Sequence, residues 1–161
     1  MGSYKIVTEK ITVISAIEDG KSELEELQSE MEEWFAGMSE NLQQGNKGDE
    51  VQQAADGLQG ALDRMNSDAS DLPEELQNRE IEIGVQVQKR KDRGTSRAVR
   101  CGNACSYLAE AAGAIKNWTG EKRAATKVEY EEDVLGAADD IADELEIVAS
   151  EAESIDFPGM Y

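Results

Sequence analysis

The spacing of apolar residues along the chain predicts helices for most of its length. Between residues 22 and 65, apolar side chains recur every three or four residues in two runs, separated by a turn at 44–48. Such spacing places them on one face of each helix. Two helices joined by a short turn pack side by side, so an antiparallel helical hairpin is predicted over 22–65. The apolar positions are Leu24, Leu27, Met31, Trp34, Met38 and Leu42 in the first run, and Val51, Ala55, Leu58, Leu62 and Met65 in the second.

Two further helices are predicted over 96–155, before a short tail at 156–161. Ser96 is a suitable N-cap for the first of them, and Gly120 is a suitable stop signal. The second runs from about 131 to 154 and is predicted to be the longest regular element. Gly57 and Gly60 inside the hairpin are predicted to let a neighbouring helix approach closely. The large residues predicted to be buried are Leu27, Trp34, Leu58, Leu108, Ile141 and Leu145.

In the region 66–95, the spacing of apolar residues differs from that of the predicted helices. After a loop that ends at Pro73, apolar residues alternate with polar residues or glycine from Ile81 to Val87, which predicts one short β-strand near 81–88. A single strand leaves its backbone groups unpaired. Its partner is therefore the first ten residues, a second copy of the chain, or an edge of another protein.

The start of the chain fits two readings. Apolar residues at 7, 11, 14 and 17 predict a helix over 6–18, although the segment 11–13 also fits a strand. Ser22, with Glu25 three residues later, predicts the N-terminus of the next helix, after a break at Asp19–Gly20. The whole chain, 1–161, is predicted to be one mainly α domain: a bundle of four to five helices with a helical hairpin and one short β-strand.

Composition excludes several kinds of active site. The chain has no histidine and only two cysteines, so it lacks an imidazole base and the ligands of the common zinc and iron–sulfur sites. No glycine-rich phosphate loop is present. We therefore expect no enzymatic activity and no catalytic, cofactor-binding or metal-ligating residue. The start has no apolar core of a signal peptide, and no segment reaches the roughly 20 apolar residues that span a bilayer.

Charge is distributed unevenly along the chain. There are 35 acidic and 16 basic residues, giving a formal net charge of −19. Such a surface repels nucleic acid and anionic membranes and favours a basic partner. In the last predicted helix no lysine or arginine follows Lys127, so its acids are candidate partner-binding residues: Asp139, Asp140, Asp143, Glu144, Glu146 and Glu151.

Six of the basic residues fall in the run 89–100. Its arginines either neutralise the chain's own acidic helices, within one copy or between two, or bind an external anion. An arginine fork suits carboxylate and phosphate equally, so residue chemistry does not choose between these roles. Because acids are abundant in the chain, we expect the internal pairing. The candidate residues are Arg90, Arg93, Arg97 and Arg100.

Four short segments, at 32–43, 71–76, 96–100 and 157–161, resemble a group of small acidic proteins encoded by tailed bacteriophages. The resemblance implies a phage source and no defined biochemical activity. Where those proteins place a proline before a Glu-Asn-Leu step, this chain has Ser39, which predicts that the preceding helix runs further.

Two functions from different classes fit these observations. The first is a non-enzymatic binding protein in the host cytoplasm, whose carboxylate rows imitate a nucleic-acid backbone and block a basic surface of a host protein, as an anti-defence inhibitor does. The second is a virion structural or assembly protein that self-associates through its apolar helix seams. Neither function requires a cofactor, a membrane or direct contact with nucleic acid.

Overall fold

The computed structural model describes residues 3–90 and 94–159. A β-strand at the start of the chain leads directly into a long helix. A single 3-10 turn at Ala69–Asp71 interrupts the loop before the second strand. In chain order, the strands and α-helices are β1 (Tyr4–Thr12), α1 (Val13–Ala36), α2 (Glu40–Gln43), α3 (Asn46–Asp63), α4 (Glu74–Gln77), β2 (Glu80–Gln88), α5 (Arg97–Ala124) and α6 (Glu132–Glu153).

The four long helices form a bundle around one apolar core. α1 packs against α3 and α5, and α6 packs against α5 and α3, so each helix has two neighbours. About two thirds of the described residues are helical, which confirms the mainly α class. α1 and α3 form the predicted hairpin. The described chain has six α-helices because α2 and α4 add one turn each. The longest is α5, with 28 residues, and not α6, with 22.

The predicted first helix over 6–18 is wrong, since this segment contains a strand and the start of a helix. Tyr4–Thr12 is β1, and it pairs antiparallel with β2 from Tyr4↔Gln88 to Thr12↔Glu80. The first ten residues thus supply the partner that the predicted strand needs, and β2 lies where that strand was predicted. Thr12 then caps α1 by accepting a hydrogen bond from the Ser15 backbone N–H at 3.3 Å.

Several predicted helix boundaries are also wrong. Ser22 is exposed inside α1 and is not an N-cap. α1 ends at Ala36, and Ser39 caps the separate short α2 by accepting from the Leu42 N–H. Gly120 does not stop α5, which continues through this exposed position to Ala124. A serine that can cap a helix can also lie on the exposed face of a longer helix. Such a residue therefore indicates a helix boundary only where the tertiary packing also ends the helix.

Most of the predicted core is confirmed. Five of the six named side chains, on all four long helices, are buried. Trp34 is only half-buried, because it lies near the end of α1, where Arg97 covers one face of its ring at 5.1 Å from the centroid. The five are Leu27, Leu58, Leu108, Ile141 and Leu145.

The predicted break at Gly20 is instead a buried position inside α1 where α1 and α5 pack closely. A Cβ at this position would lie 2.8 Å from Leu108 Cδ2 and 3.1 Å from the Ala104 carbonyl oxygen. Glycine costs roughly 1 kcal/mol relative to alanine inside a helix. At Gly20 that cost is offset by the close packing of the two helices. Gly57 similarly faces Ile155, whereas Gly60 has no neighbour within 4 Å, so the predicted packing role of Gly60 is wrong.

Alanine at the two glycines should have opposite effects on stability. Gly20→Ala is expected to lower the free energy of unfolding by about 1 kcal/mol, because Leu108 must move and the Ala104 carbonyl has little freedom to do so. Gly60→Ala should raise it by roughly 0.5–1 kcal/mol through helix propensity alone. Urea unfolding of both variants tests this, and stabilisation by Gly20→Ala would contradict the close approach.

The two-stranded sheet lies against α5. Ile83 and Val85 of β2 are buried, and the backbone of Gln86 exchanges two hydrogen bonds with the Asn103 side chain of α5, at 2.8 and 2.9 Å. Tyr107, one turn further along α5, donates to Glu9 of β1 at 2.7 Å. The sheet is therefore fixed to the bundle mainly through β2.

Candidate partner-binding surfaces

Two arginines at the start of α5 pair with carboxylates of α1. The Arg100 guanidinium donates to the two Glu30 oxygens at 2.9 and 2.7 Å, and its Nε donates to Glu23. The Arg97 Nε donates to Glu30 at 3.1 Å. All four side chains are partly buried between the helices. This arrangement is a bidentate pair with a second cation on the same carboxylate, which is a strong form of ionic hydrogen bonding.

The electrostatics of Glu30 follow from these contacts. The hydrogen bond from Arg100 lowers the pKa of the Glu30 carboxyl, and burial opposes this while Arg97 adds to it. The Arg100 pKa is raised, chiefly by the same bond to Glu30. Both groups are therefore charged at neutral pH, and each stabilises the charged form of the other.

The four candidate arginines are not at one site. Arg97 and Arg100 make ion pairs inside the chain, whereas Arg90 is exposed beyond the end of β2 and makes no ion pair with a described residue. Arg93 lies outside the described residues. No cavity in the described chain therefore gathers the four side chains around one anion.

The candidate acids of α6 are mostly paired inside the chain as well. Asp139 accepts from Thr119 at 2.6 Å and from Arg123 at 2.7 Å. Lys116 binds both Asp143 and Glu146, at 2.9 and 3.0 Å. Burial opposes the lowering of the Asp139 pKa, but the bonds from Thr119 and Arg123 outweigh it and the net direction is down.

The two other paired acids of α6 bind the end of α3 and the loop after it. Glu144 accepts from the backbone N–H groups of Asn66 and Ser67 at 2.8 and 3.0 Å, and Glu151 pairs with Arg64 at 3.3 Å. Asp140 is exposed and has no ion-pair partner among the described residues. The expectation that these six acids lack cations therefore fails for most of them, because α5 and α3 supply partners that are distant in sequence.

Unpaired negative charge is concentrated instead on the α1–α3 hairpin. Nine of the acids on α1 and α3 are exposed, and none of these nine makes an ion pair with a described residue. Side-chain amides donate hydrogen bonds to three of them, in the pairs Gln28–Glu32 on α1 and Gln52–Asp56 and Gln59–Asp63 on α3. The nine residues are Glu18, Asp19, Glu25, Glu32 and Glu33 on α1, and Asp49, Glu50, Asp56 and Asp63 on α3.

Six of these acids form two straight lines. Positions 18, 25 and 32 on α1 and positions 49, 56 and 63 on α3 are each seven residues apart, which is two helical turns and about 10 Å. On α1 the line lies about 200° around the helix from Glu23 and Glu30, which face α5. It therefore lies on the side of α1 that points away from α5. We define these two lines as the acidic face of the hairpin.

Sequence analysis singled out the acids of α6 and missed this face, although its seven-residue spacing is visible in the sequence. The missing information was which acids receive a cation from another helix. Which acids are paired depends on which of the four long helices contact each other, and no local sequence pattern predicts this.

The two cysteines of α5 are not joined by a disulfide bond. Cys101 and Cys105 are free and buried in α5, and the Cys101 thiol donates to the Ala152 carbonyl at 3.4 Å. The hydrogen bond to Cys101, together with burial, raises the pKa of Cys105. Within the described residues, no three His, Cys, Asp or Glu side chains are grouped so that they could hold a metal ion.

Neither a membrane-spanning helix in the described part of the chain nor a relative among known proteins helps to identify a function. Among the described residues, none of the helices combines the length and the apolar character needed to cross a membrane. Compared with protein families, curated proteins and solved structures, the chain matches none of them.

Proposed function

We propose that this is a non-enzymatic binding protein whose acidic face occupies a basic, nucleic-acid-binding surface of a partner protein. The observation that supports this most directly is the contrast between two groups of acids. Those of α6 are mostly neutralised by cations of the same chain, whereas those of the acidic face are not. Uncompensated charges of one sign on a surface repel each other, so an unneutralised row has a cost that binding to a cationic surface would offset.

The geometry suits a partner that otherwise binds a phosphate backbone. Two antiparallel helices place their axes about 8–10 Å apart, and each presents a carboxylate about every 10 Å. Lysine and arginine side chains of a partner can pair with the carboxylates of either line. A host nuclease or another DNA-binding protein carries such a surface, and occupying it would block DNA. With the resemblance to acidic phage proteins, this supports an inhibitory role in the host cytoplasm.

The alternative is a virion component that self-associates through its apolar helix seams. The residues of those seams are buried inside one copy, as Ile141 and Leu145 of α6 show. Self-association would therefore need another surface. Detection of the protein at fixed stoichiometry in purified particles would favour this alternative over the intracellular role.

DNA competition tests the proposed function directly. Tagged protein immobilised on resin should retain DNA-binding proteins from a bacterial lysate, and a short duplex DNA should release them. Replacing four acids of the face, by Glu25→Gln, Glu32→Gln, Asp56→Asn and Asp63→Asn, should weaken retention about tenfold or more, because four cationic partners lose their carboxylates.

A control variant carries the same charge change elsewhere. Glu110→Gln, Asp133→Asn, Asp140→Asn and Glu153→Gln alter four exposed acids outside the face, none of which forms an ion pair with a described residue. This variant should retain the same proteins as the wild type. An equal loss in both variants would mean that net charge alone is responsible. Retained proteins that duplex DNA does not release would also contradict the proposal.

A further inference from the structure

The outer edge of β1 has no hydrogen-bonding partner in the described chain. The sheet contains two strands, and among the described residues only β2 has backbone groups that are hydrogen-bonded to α5. Asn103 accepts from the Gln86 N–H and donates to the Gln86 carbonyl, so the outer edge of β2 is partly covered. No residue of the described chain makes an equivalent pair of hydrogen bonds to the backbone of β1.

The pairing register shows which backbone groups of β1 point outward. Gln86 directs its N–H and C=O away from β1, because both bind Asn103. Its partner Ile6 therefore directs its own groups away from β2, and alternate residues do the same in an antiparallel ladder. The N–H and C=O groups of Ile6, Thr8 and Lys10 form this free edge.

The edge is also exposed and partly apolar. All side chains from Lys5 to Lys10 are exposed, including Ile6 at 77% and Val7 at 37%. Val87, which neighbours them on β2, is 38% exposed. An isolated two-stranded ribbon is only marginally stable, and an uncovered edge is a template for a further strand. Added strand pairing would satisfy the backbone and cover Ile6.

We propose that β1 pairs antiparallel with β1 of a second copy, around a two-fold axis at Val7, to give a continuous four-stranded sheet. In this register Lys5 of one copy lies opposite Glu9 of the other, twice by symmetry. Val7 lies opposite Val7, and Ile6 lies opposite Thr8. Cross-strand pairs of opposite charge and of β-branched residues are both favourable.

Charge selects this register among those that the backbone allows. Outward-pointing residues must pair with outward-pointing residues, so the two-fold axis can also pass through Ile6 or Thr8. An axis at Ile6 places Lys5 opposite Val7, and an axis at Thr8 places Glu9 opposite Val7. Only the axis at Val7 brings both charged residues of this face opposite an ion of the other sign.

A second copy is the partner that fits this edge, because the charged residues of β1 are complementary to those of another β1. β1 carries two lysines and one glutamate, in a chain whose net charge is −19. Two copies approaching through β1 thus meet at a surface without net negative charge, which reduces their mutual repulsion. This inference is independent of the proposed function, because the acidic face lies on α1 and α3.

Sedimentation equilibrium of the full chain in 0.15 M salt, up to about 1 mM protein, tests the dimer. The wild type should reach twice the 17.6 kDa of one copy. Thr8→Pro removes an outward N–H that β2 does not use, and proline is accepted at such edge positions, so this variant should stay folded and monomeric. The amides of Ile6, Thr8 and Lys10 should exchange slowly with solvent at high wild-type concentration and rapidly on dilution.

Charge reversal tests the register. Lys5→Glu and Glu9→Lys should each raise the dissociation constant about tenfold, since both symmetric pairs become repulsive. An equimolar mixture of the two variants should form a heterodimer, because each then presents the complement of the other. Lys89→Glu, which makes the same charge change as Lys5→Glu at an exposed residue just after the end of β2, should leave the dimer intact.

Three results would overturn the proposal. The first is a wild type that remains monomeric over the whole concentration range. The second is a dimer that Thr8→Pro leaves unchanged, since that dimer would use another surface. The third is a mixture of the two charge variants that associates no better than either one alone, which would exclude the pairing of Lys5 with Glu9. Circular dichroism of each variant identifies any loss of fold.

Discussion

Replacing Ile141 by alanine is expected to lower the free energy of unfolding by about 2–5 kcal/mol. Ile141 is 7% exposed, in the middle of the α6 face that packs against α5 and α3. The lost carbon atoms leave a cavity that the packed bundle cannot close by a local shift, so the loss of apolar burial and the cost of the cavity both contribute. Urea unfolding followed by circular dichroism measures the change.

Ile147 provides a matched control for this prediction. It is the same residue type on the same helix, but it is 47% exposed. Ile147→Ala should change the free energy of unfolding by less than about 1 kcal/mol, since little apolar surface is removed from the core. Equal effects at the two positions would mean that α6 uses both faces, with Ile147 buried against a partner or a second copy.

Helix faces were predictable from the sequence because they depend on local spacing. The apolar positions of α5 and α6 repeat over several turns, and a helix is the only regular structure that gathers such positions on one side. β2 was predictable for the same reason, since alternation over Ile81–Val87 fits only a strand. The same local information fixes the N-cap at Ser96.

β1 could not be predicted in this way because its structure depends on a distant segment. The apolar residues at 7 and 11, four apart, continue into α1 with helical spacing, so the pattern favours a helix. β2 supplies the opposing information from about 75 residues away, as the Tyr4↔Gln88 and Thr12↔Glu80 pairs show. Pairing across that distance overrides local preference, because β2 otherwise leaves a row of backbone groups without partners.

The distribution of ion pairs was unpredictable for a related reason. Arg100 reaches Glu30 because α5 runs antiparallel to α1, and Lys116 reaches Asp143 because α6 returns along α5. Neither pair has a sequence signature. The net charge of the chain was known from its composition, but the locations of neutralised and unneutralised acids depend on how the bundle is assembled.

Replacing Arg100 by glutamine is expected to lower the free energy of unfolding by about 1–2 kcal/mol at neutral pH. The pair with Glu30 is partly buried, so its contribution lies between that of an exposed pair and that of a fully buried one. The variant also leaves Glu23 and Glu30 close together without the guanidinium between them. A double-mutant cycle with Glu30→Gln isolates the pair, and a coupling energy near zero would contradict this role.

Arg90→Gln is the matched control, because it makes the same change in net charge at an exposed arginine that has no ion pair with a described residue. It should alter the free energy of unfolding by less than about 0.5 kcal/mol. If both variants were equally unstable, the loss would come from the overall charge of the chain and not from the Arg100–Glu30 contact.

The stability lost on replacing Arg100 by glutamine should depend on pH. Arg100 lowers the pKa of Glu30 in the folded protein below its value in the unfolded chain. Such a group stabilises the fold above the unfolded pKa, near 4.3, and loses this contribution as the pH falls through the folded pKa. The stability difference between the wild type and Arg100→Gln should therefore be largest at pH 6–7 and shrink below about pH 4. Urea titrations at a series of pH values measure this difference, and a gap that stays constant down to pH 3 would mean that Arg100 acts through packing of its apolar stem and not through its charge.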